Sequence, residues 1–233
     1  MRKKNAVDHK EILAQLKSWG DPEAVKGMAR YGINSSSAYG VSIPKLRSLA
    51  KQLGKDHELA QKLWASGIHE ARILASMIDA PDLVTEAQMD GWVRDFNSWD
   101  LCDQCCNNLF RKTRFGRTKV MEWSSRPEEF VKKAAFTLIA CLAVHDKTAV
   151  DEDFRELLPL IQRAASDERN YVMKVVNWAL RQIGKRNARL NELAVTAARE
   201  LSRMESKSAR WIAADALREL TSKAVQKRLA ARK

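Results

Sequence analysis

The chain has 233 residues, enough for one large domain or two small ones with a sizeable core. Hydrophobic residues make up 45% and charged residues 30%, as in a globular protein; nine Gly and five Pro are too few for a turn-rich sheet protein. Lys and Arg number 41 against 29 acids, a net charge of +12 that favours a polyanionic partner, nucleic acid or an anionic surface.

Helical periodicity runs almost from end to end. It predicts helices near 9–18, 22–30, 44–53, 57–66, 69–79, 85–96, 98–111, 117–125, 128–144, 151–165, 170–185, 189–203 and 207–228. Helix punctuation separates them: Gly20-Asp21-Pro22, Ser42 before Pro44, Ala80-Pro81-Asp82 and Arg126-Pro127-Glu128. Pro81 stops one helix at Ala80, and Pro159 kinks or splits another. Tyr31 to Gly40 reads as irregular, and no stretch alternates long enough for a strand. The expectation is one all-helical domain over 1–233, with fraying at 1–7 and 224–233. No apolar run approaches the roughly 18 residues of a membrane span. The charged start, Met1-Arg2-Lys3-Lys4, has no apolar segment of a secretory leader.

An internal echo bears on the fold. Phe130-Val131-Lys132-Lys133-Ala134-Ala135 matches Tyr171-Val172-Met173-Lys174-Val175-Val176 at an offset of 41. Asn177-Trp178-Ala179-Leu180-Arg181 matches Ala214-Asp215-Ala216-Leu217-Arg218 at 37. Antiparallel helix pairs at this period suit a HEAT-like solenoid, an all-α fold with a concave basic face; the alternative is an irregular bundle with a chance echo. Val172, Val175, Val176, Ala179 and Ile183 form one core stripe. Val131, Ala134, Ala135, Leu138 and Leu142 repeat it earlier, and Ala209, Ile212, Ala213, Ala216 and Leu220 repeat it later.

Opposite that stripe lie Lys174, Trp178, Arg181 and Lys185, a Trp on a basic face, suited to phosphates and to a sugar or base. Lys133, Thr137 and Ala140, then Trp211, Asp215 and Arg218, take the same register and share that surface. The bland alternative packs Trp178 on the neighbouring repeat and leaves the cations solvated. Residues 181–233 hold 14 Lys and Arg against five acids, so the positive field is C-terminal.

Chemistry concentrates in 97–106. Ser98 is placed to cap a helix. Cys102, Cys105, Cys106 and Leu109 make an apolar stripe; with Cys141 they are the chain's four Cys. No partner group completes a zinc site, so buried reduced thiols, a reducing cytosol-like compartment and no metal or cofactor are expected. Trp99 and Asp103 are i, i+4 neighbours on the flank of that stripe. Asp103 can stay ionised there, less screened than in water, and stabilise a developing cation; the alternative is an ordinary half-exposed Asp. The four His read as structural or solvated. Gly-rich phosphate loops, nucleophile elbows and His-Glu-x-x-His are absent.

Taken together, Met28-Ala29-Arg30-Tyr31-Gly32-Ile33, Gly40-Val41-x-x-Pro44, Ser98-Trp99-Asp100-x-x-Asp103, Val131-x-Lys133-Ala134-Ala135 and Trp178-x-x-Arg181 resemble the DNA alkylation repair family of HEAT-like glycosylases. The resemblance spans about residues 10–222 and rests on order and spacing. It implies that Asp103 is the catalytic carboxylate and that Trp99 and Trp178 wall the lesion-bearing nucleotide. Lys133 falls where characterised members carry an Arg, and it lacks the bidentate fork. Ser98 stands where the characterised type carries a second Trp. Lys174 and Lys185 belong to the basic face read above, and Arg181 and Arg210 match DNA-facing positions. The implied protein is a cytoplasmic monomer acting on alkylated double-stranded DNA. It releases N3-methyladenine or N7-methylguanine, whose charged bases leave without a general acid, and spares uncharged lesions such as uracil. The alternative is a non-catalytic nucleic-acid-binding module or protein scaffold.

Overall fold

The computed structural model describes residues 8–231. Every regular element among them is helical and no strand occurs. The fraying expected at 1–7 falls outside the described residues. Two compact units are present, Met1–Arg114 and Phe115–Lys233.

In the first unit, α1 (His9–Ser18), α2 (Pro22–Arg30), α3 (Ile43–Leu53), α4 (His57–Ala65), α5 (His69–Ile78), α6 (Glu86–Arg94) and α7 (Trp99–Asn108) follow in order, with 3-10 turns at Pro81–Leu83 and Phe110–Lys112. Asp8, Asp21, Asp56 and Thr85 cap their helices by accepting first-turn amides; such caps contribute about 1 kcal/mol each. α5 ends just before Ala80-Pro81, as predicted. It packs between α3 and α7, while α4 lies against α5 and α1. Trp64 and Trp92 stack in parallel at 3.9 Å, with Phe96 and Phe110 beside them. Trp64 and Trp92 are buried, as is Trp123 in the second unit.

The second unit contains α8 (Gly116–Trp123), α9 (Glu129–His145), α10 (Asp151–Arg155), α11 (Leu158–Ala164), α12 (Asn170–Gly184), α13 (Ala188–Ser202), α14 (Lys207–Leu220) and α15 (Lys223–Ala230). α12 lies between α9 and α14; α8, α11 and α13 back this row. All fifteen stripe residues named above on α9, α12 and α14 are buried. Phe130 and Tyr171, the echo's first residues, stack at 5.6 Å, so equivalent positions of successive repeats touch. Pro159 splits 151–165 into α10 and α11.

The predicted 207–228 helix is two helices, not one. Thr221 turns its hydroxyl back to the Leu217 carbonyl at 2.8 Å, and Ser222 caps α15 through the Val225 amide. Residues 224–230, where fraying is expected from sequence, belong to that capped helix, while 232–233 fall outside the described residues. Gly184 closes α12 against its neighbours: a Cβ there would meet Leu220 at 2.7 Å and Ala194 at 2.9 Å.

Candidate nucleic-acid interface

In the first unit the candidate centre begins at α7. Trp99 and Asp103 are both half-buried, one helical turn apart, on the flank of a buried Cys102–Cys105–Cys106 stripe. Ser98 sits at the N-cap but makes no side-chain cap. Its hydroxyl donates instead to Asp100 Oδ1, and His69 Nε2 lies 2.9 Å from Asp100 Oδ2. The capping expectation is corrected: the hydroxyl donates to the nearby carboxylate and its oxygen accepts no first-turn amide. Ser98 and His69 both bond the one Asp, so they are no hydrolytic triad, in which His stands between the other two. Burial opposes ionisation of Asp100, but the His69 hydrogen bond and charge, the Ser98 hydroxyl and the Leu101 amide outweigh it and hold the carboxyl below its usual value.

The irregular 31–42 segment is tied to the same place. Trp99 Nε1 donates to the Tyr31 carbonyl at 3.0 Å, and the His69 amide to the Ser37 carbonyl at 3.0 Å. Glu70, 1% exposed, accepts the amides of Tyr39, Gly40 and Val41 at 2.6–3.2 Å. Gly40 has φ +83°, and a Cβ there would lie 2.3 Å from the Asp21 carbonyl, so only glycine fits. Glu70 is missing from the sequence reading, and His69 and Asp100 appear there without this role, His69 as a structural or solvated His and Asp100 only as part of the Ser98-Trp99-Asp100 motif. The Asp100 partner of His69 and the Tyr39 amide partner of Glu70 each lie 31 residues away, beyond the reach of a local signal.

All four Cys are buried thiols outside any disulfide. Burial, then the nearby Cys102 and Asp79 charges, push the Cys105 thiol well above its usual value. No cluster of three or more His, Cys, Asp or Glu side chains able to hold a metal occurs among the described residues.

The second unit carries most of the charge, 24 Lys and Arg against 15 acids. On α12, Lys174 is exposed and Trp178, Arg181 and Lys185 are half-buried. The Gln182 amide oxygen, turned toward the indole, accepts from Trp178 Nε1 at 2.8 Å. Arg181 and Lys185 are paired: Glu219 of α14 meets Arg181 Nη1 at 2.5 Å and Lys185 Nζ at 2.6 Å, and Asp215 lies 3.5 Å from Arg181. Arg218 pairs with Asp215. Burial raises the Glu219 carboxyl, but its two cations win and hold it below its ordinary value.

The structure therefore groups Lys174, Trp178, Arg181 and Lys185 on one face, threaded with acids from α14. Arg210 is exposed, its guanidinium turned back to the carbonyls of Met204 and Glu205 at 3.3 and 2.7 Å. The shared surface expected of Lys133, Thr137 and Ala140 is corrected: all three are buried, Lys133 at 4% exposure with Nζ 3.3 Å from Thr137 Oγ1. The helix is apolar on nearly every side, with Phe136, Ile139 and Ala143 buried besides the stripe, so its register against α12 does not imply exposure.

A family model described as DNA alkylation repair enzyme matches residues 12–220. The chain belongs to this family. Among solved structures it is similar to a member of "a new family of proteins related to the HEAT-like repeat DNA glycosylases with affinity for branched DNA structures", at 18% identity over 96% of both chains with a TM-score of 0.80. An engineered protein matches at 16% identity over 93% of this chain and 92% of its own, with a TM-score of 0.42. Among curated proteins no match was found. The fold of this DNA alkylation repair family member is thus all-helical and HEAT-like. No helix among its described residues is long and apolar enough to cross a membrane.

Proposed function

We propose that the chain is a DNA glycosylase that hydrolyses the N-glycosidic bond of cationic alkylated purines, N3-methyladenine and N7-methylguanine, in duplex DNA. The observation that carries the reading is Asp103 held half-buried one turn from Trp99 on a helix whose start is tied to α5 and to the Tyr31 carbonyl, in a chain of this repair family. Alkylation makes the base a good leaving group, and positive charge grows on the deoxyribose as the bond lengthens. Asp103 stabilises that charge and orients the attacking water. Trp99 offers a ring face to the cationic nucleotide, and in the second unit Trp178 offers one to bound DNA.

Lys174 and Arg210 contact phosphates, joined by Arg181 and Lys185 when DNA competes with Glu219 and Asp215 for them. Lys133 is buried on α9, and that burial does not suit phosphate gripping. The protein works as a cytoplasmic monomer. Base release from methylated duplex DNA, read by chromatography, tests the reading. Asp103→Asn should lower the rate about 100-fold or more, and an unchanged rate refutes the assignment.

A second reading, DNA binding without base release, is favoured by the similar protein named for affinity to branched DNA. It predicts salt-dependent DNA binding and no released base.

A further inference from the structure

Within the second unit, the last turns of α9 and α12 and the start of α10 frame a cleft of about 480 Å³. That is within the range of roughly 300–1,000 Å³ for ligand sites. Lys147, Lys185, Arg186 and Arg228 line it against one acid, Asp151. Helix C-termini ordinarily repel anions through their unpaired carbonyls. At the end of α9 and in the loop after it, two cations cover such carbonyls. Arg186 donates to the carbonyls of Ala143 and Ala149 at 3.0 and 2.8 Å while lying over the Phe154 ring, and Lys147 donates to Val144 at 2.6 Å. Asp151 is held by Asn187 Nδ2 at 2.6 Å. Lys147 keeps two ammonium hydrogens unengaged by that bond. Arg228 is exposed and has no hydrogen-bond or ion-pair partner among the described residues.

The cleft is continuous with the face of Trp178. Gln182 and Lys185 line the cleft, and the Gln182 amide oxygen is the acceptor of the Trp178 indole. A strand lying on that face reaches the cleft by following α12 for its last two turns.

We propose that this cleft receives a backbone phosphate of bound DNA, with Lys147 and Arg228 as the contacting cations, a subsite that adjoins the Trp178 face and lies beyond it. The inference rests on the DNA-binding part of the function proposed above, not on base release. It extends the basic surface past α12 to α15.

The test is binding of unmodified duplex DNA at about 50 and 200 mM salt, the range over which phosphate contacts are read. Wild type, Lys147→Ala/Arg228→Ala and the conservative Lys147→Arg/Arg228→Lys are compared, with helix content checked by circular dichroism. Each lost phosphate contact lowers the log–log salt slope by about 0.9. The double alanine variant should therefore bind several-fold more weakly at low salt, with a slope shallower by about one to two and little difference at high salt. The conservative pair should restore the slope. Wild-type affinity and slope in the double alanine variant overturn the cleft while leaving DNA binding intact. No duplex binding by wild type overturns the DNA reading and the cleft with it. Inorganic pyrophosphate bound by wild type but not by the double alanine variant, with duplex affinity equal in both, identifies a small-anion site and also overturns the proposal.

Discussion

His69 Nε2 and Asp100 Oδ2 stand 2.9 Å apart, joining the first turn of α5 to the first turn of α7. Asp100 is the hub: it also takes the Ser98 hydroxyl. Removing the imidazole leaves a largely buried carboxylate one donor short, at a cost of about 2 kcal/mol. His69→Ala should lower the urea midpoint accordingly. Asp100→Ala with it should cost much less than the sum of the two singles. Additive losses would show that the pair is not coupled.

Trp99 has two separable functions, a ring face and an N–H that holds the Tyr31 carbonyl. Trp99→Phe keeps a ring and loses the bond, so stability should fall by about 1 kcal/mol. Base release should fall less than in Trp99→Ala. Equal losses in both variants would assign the residue's role to the hydrogen bond alone.

Much of this fold was legible in the sequence, and the failures have physical causes. The apolar stripes of α9, α12 and α14 and the breaks at Pro81 and Pro159 follow from periodicity and from a missing amide hydrogen. The break at Thr221–Ser222 lacks Gly or Pro; it is made by two hydroxyls competing for backbone groups, a weaker signal. The repeat itself was visible only in the second unit. There, paired side chains such as Asn177 and Asp215 lie 38 apart, near the offsets read from sequence. In the first unit the spacing is 31, as for Trp64 with Asp95 and His69 with Asp100. A chain with two periods shows no single one. Trp99 and Asp103 on a half-buried flank could be read from spacing, because i and i+4 share a face. That Arg181 and Lys185 carry acid partners could not, since Glu219 lies 38 and 34 residues away.

Glu219 makes the basic face less basic than its composition. Glu219→Gln removes one negative charge and weakens the hold on Arg181 and Lys185. Duplex DNA should then bind several-fold more tightly at low salt, with a steeper salt slope. Stability should fall slightly, by about 1 kcal/mol or less, the scale of partly exposed pairs. Unchanged affinity, measured by fluorescence anisotropy, would mean that these two cations do not reach phosphate.

Gly184 should not tolerate even a methyl group. Its missing Cβ space is filled by Leu220 and Ala194, and overpacking of this kind costs about 1–3 kcal/mol. Gly184→Ala should lower the melting temperature, and Leu220→Val in the same chain should recover part of the loss. No loss in the single variant would show that α14 shifts freely.

Acid should weaken the second unit in a defined window. Arg117 holds the Asp146 carboxyl at about 2, and Arg169, with Lys132, holds Asp167 at about 2. Both values lie below the unfolded value of about 3.9. Their contribution is therefore present above pH 4 and lost as pH falls from about 4 to about 2. Solvent screening limits it to the order of 1 kcal/mol per group. Asp146→Asn should flatten the pH dependence of the urea midpoint in that interval, and an equally steep profile would locate the effect elsewhere.

The placement of the sulfur atoms acquires meaning from the proposed work. An enzyme that meets freshly methylated DNA meets the methylating electrophiles too, and a cysteine thiolate is their preferred target in any protein. Here each thiol is enclosed by helices, and Cys105 is also held in its protonated, unreactive form. The molecule keeps its own best nucleophiles out of reach of the damage it is proposed to mend.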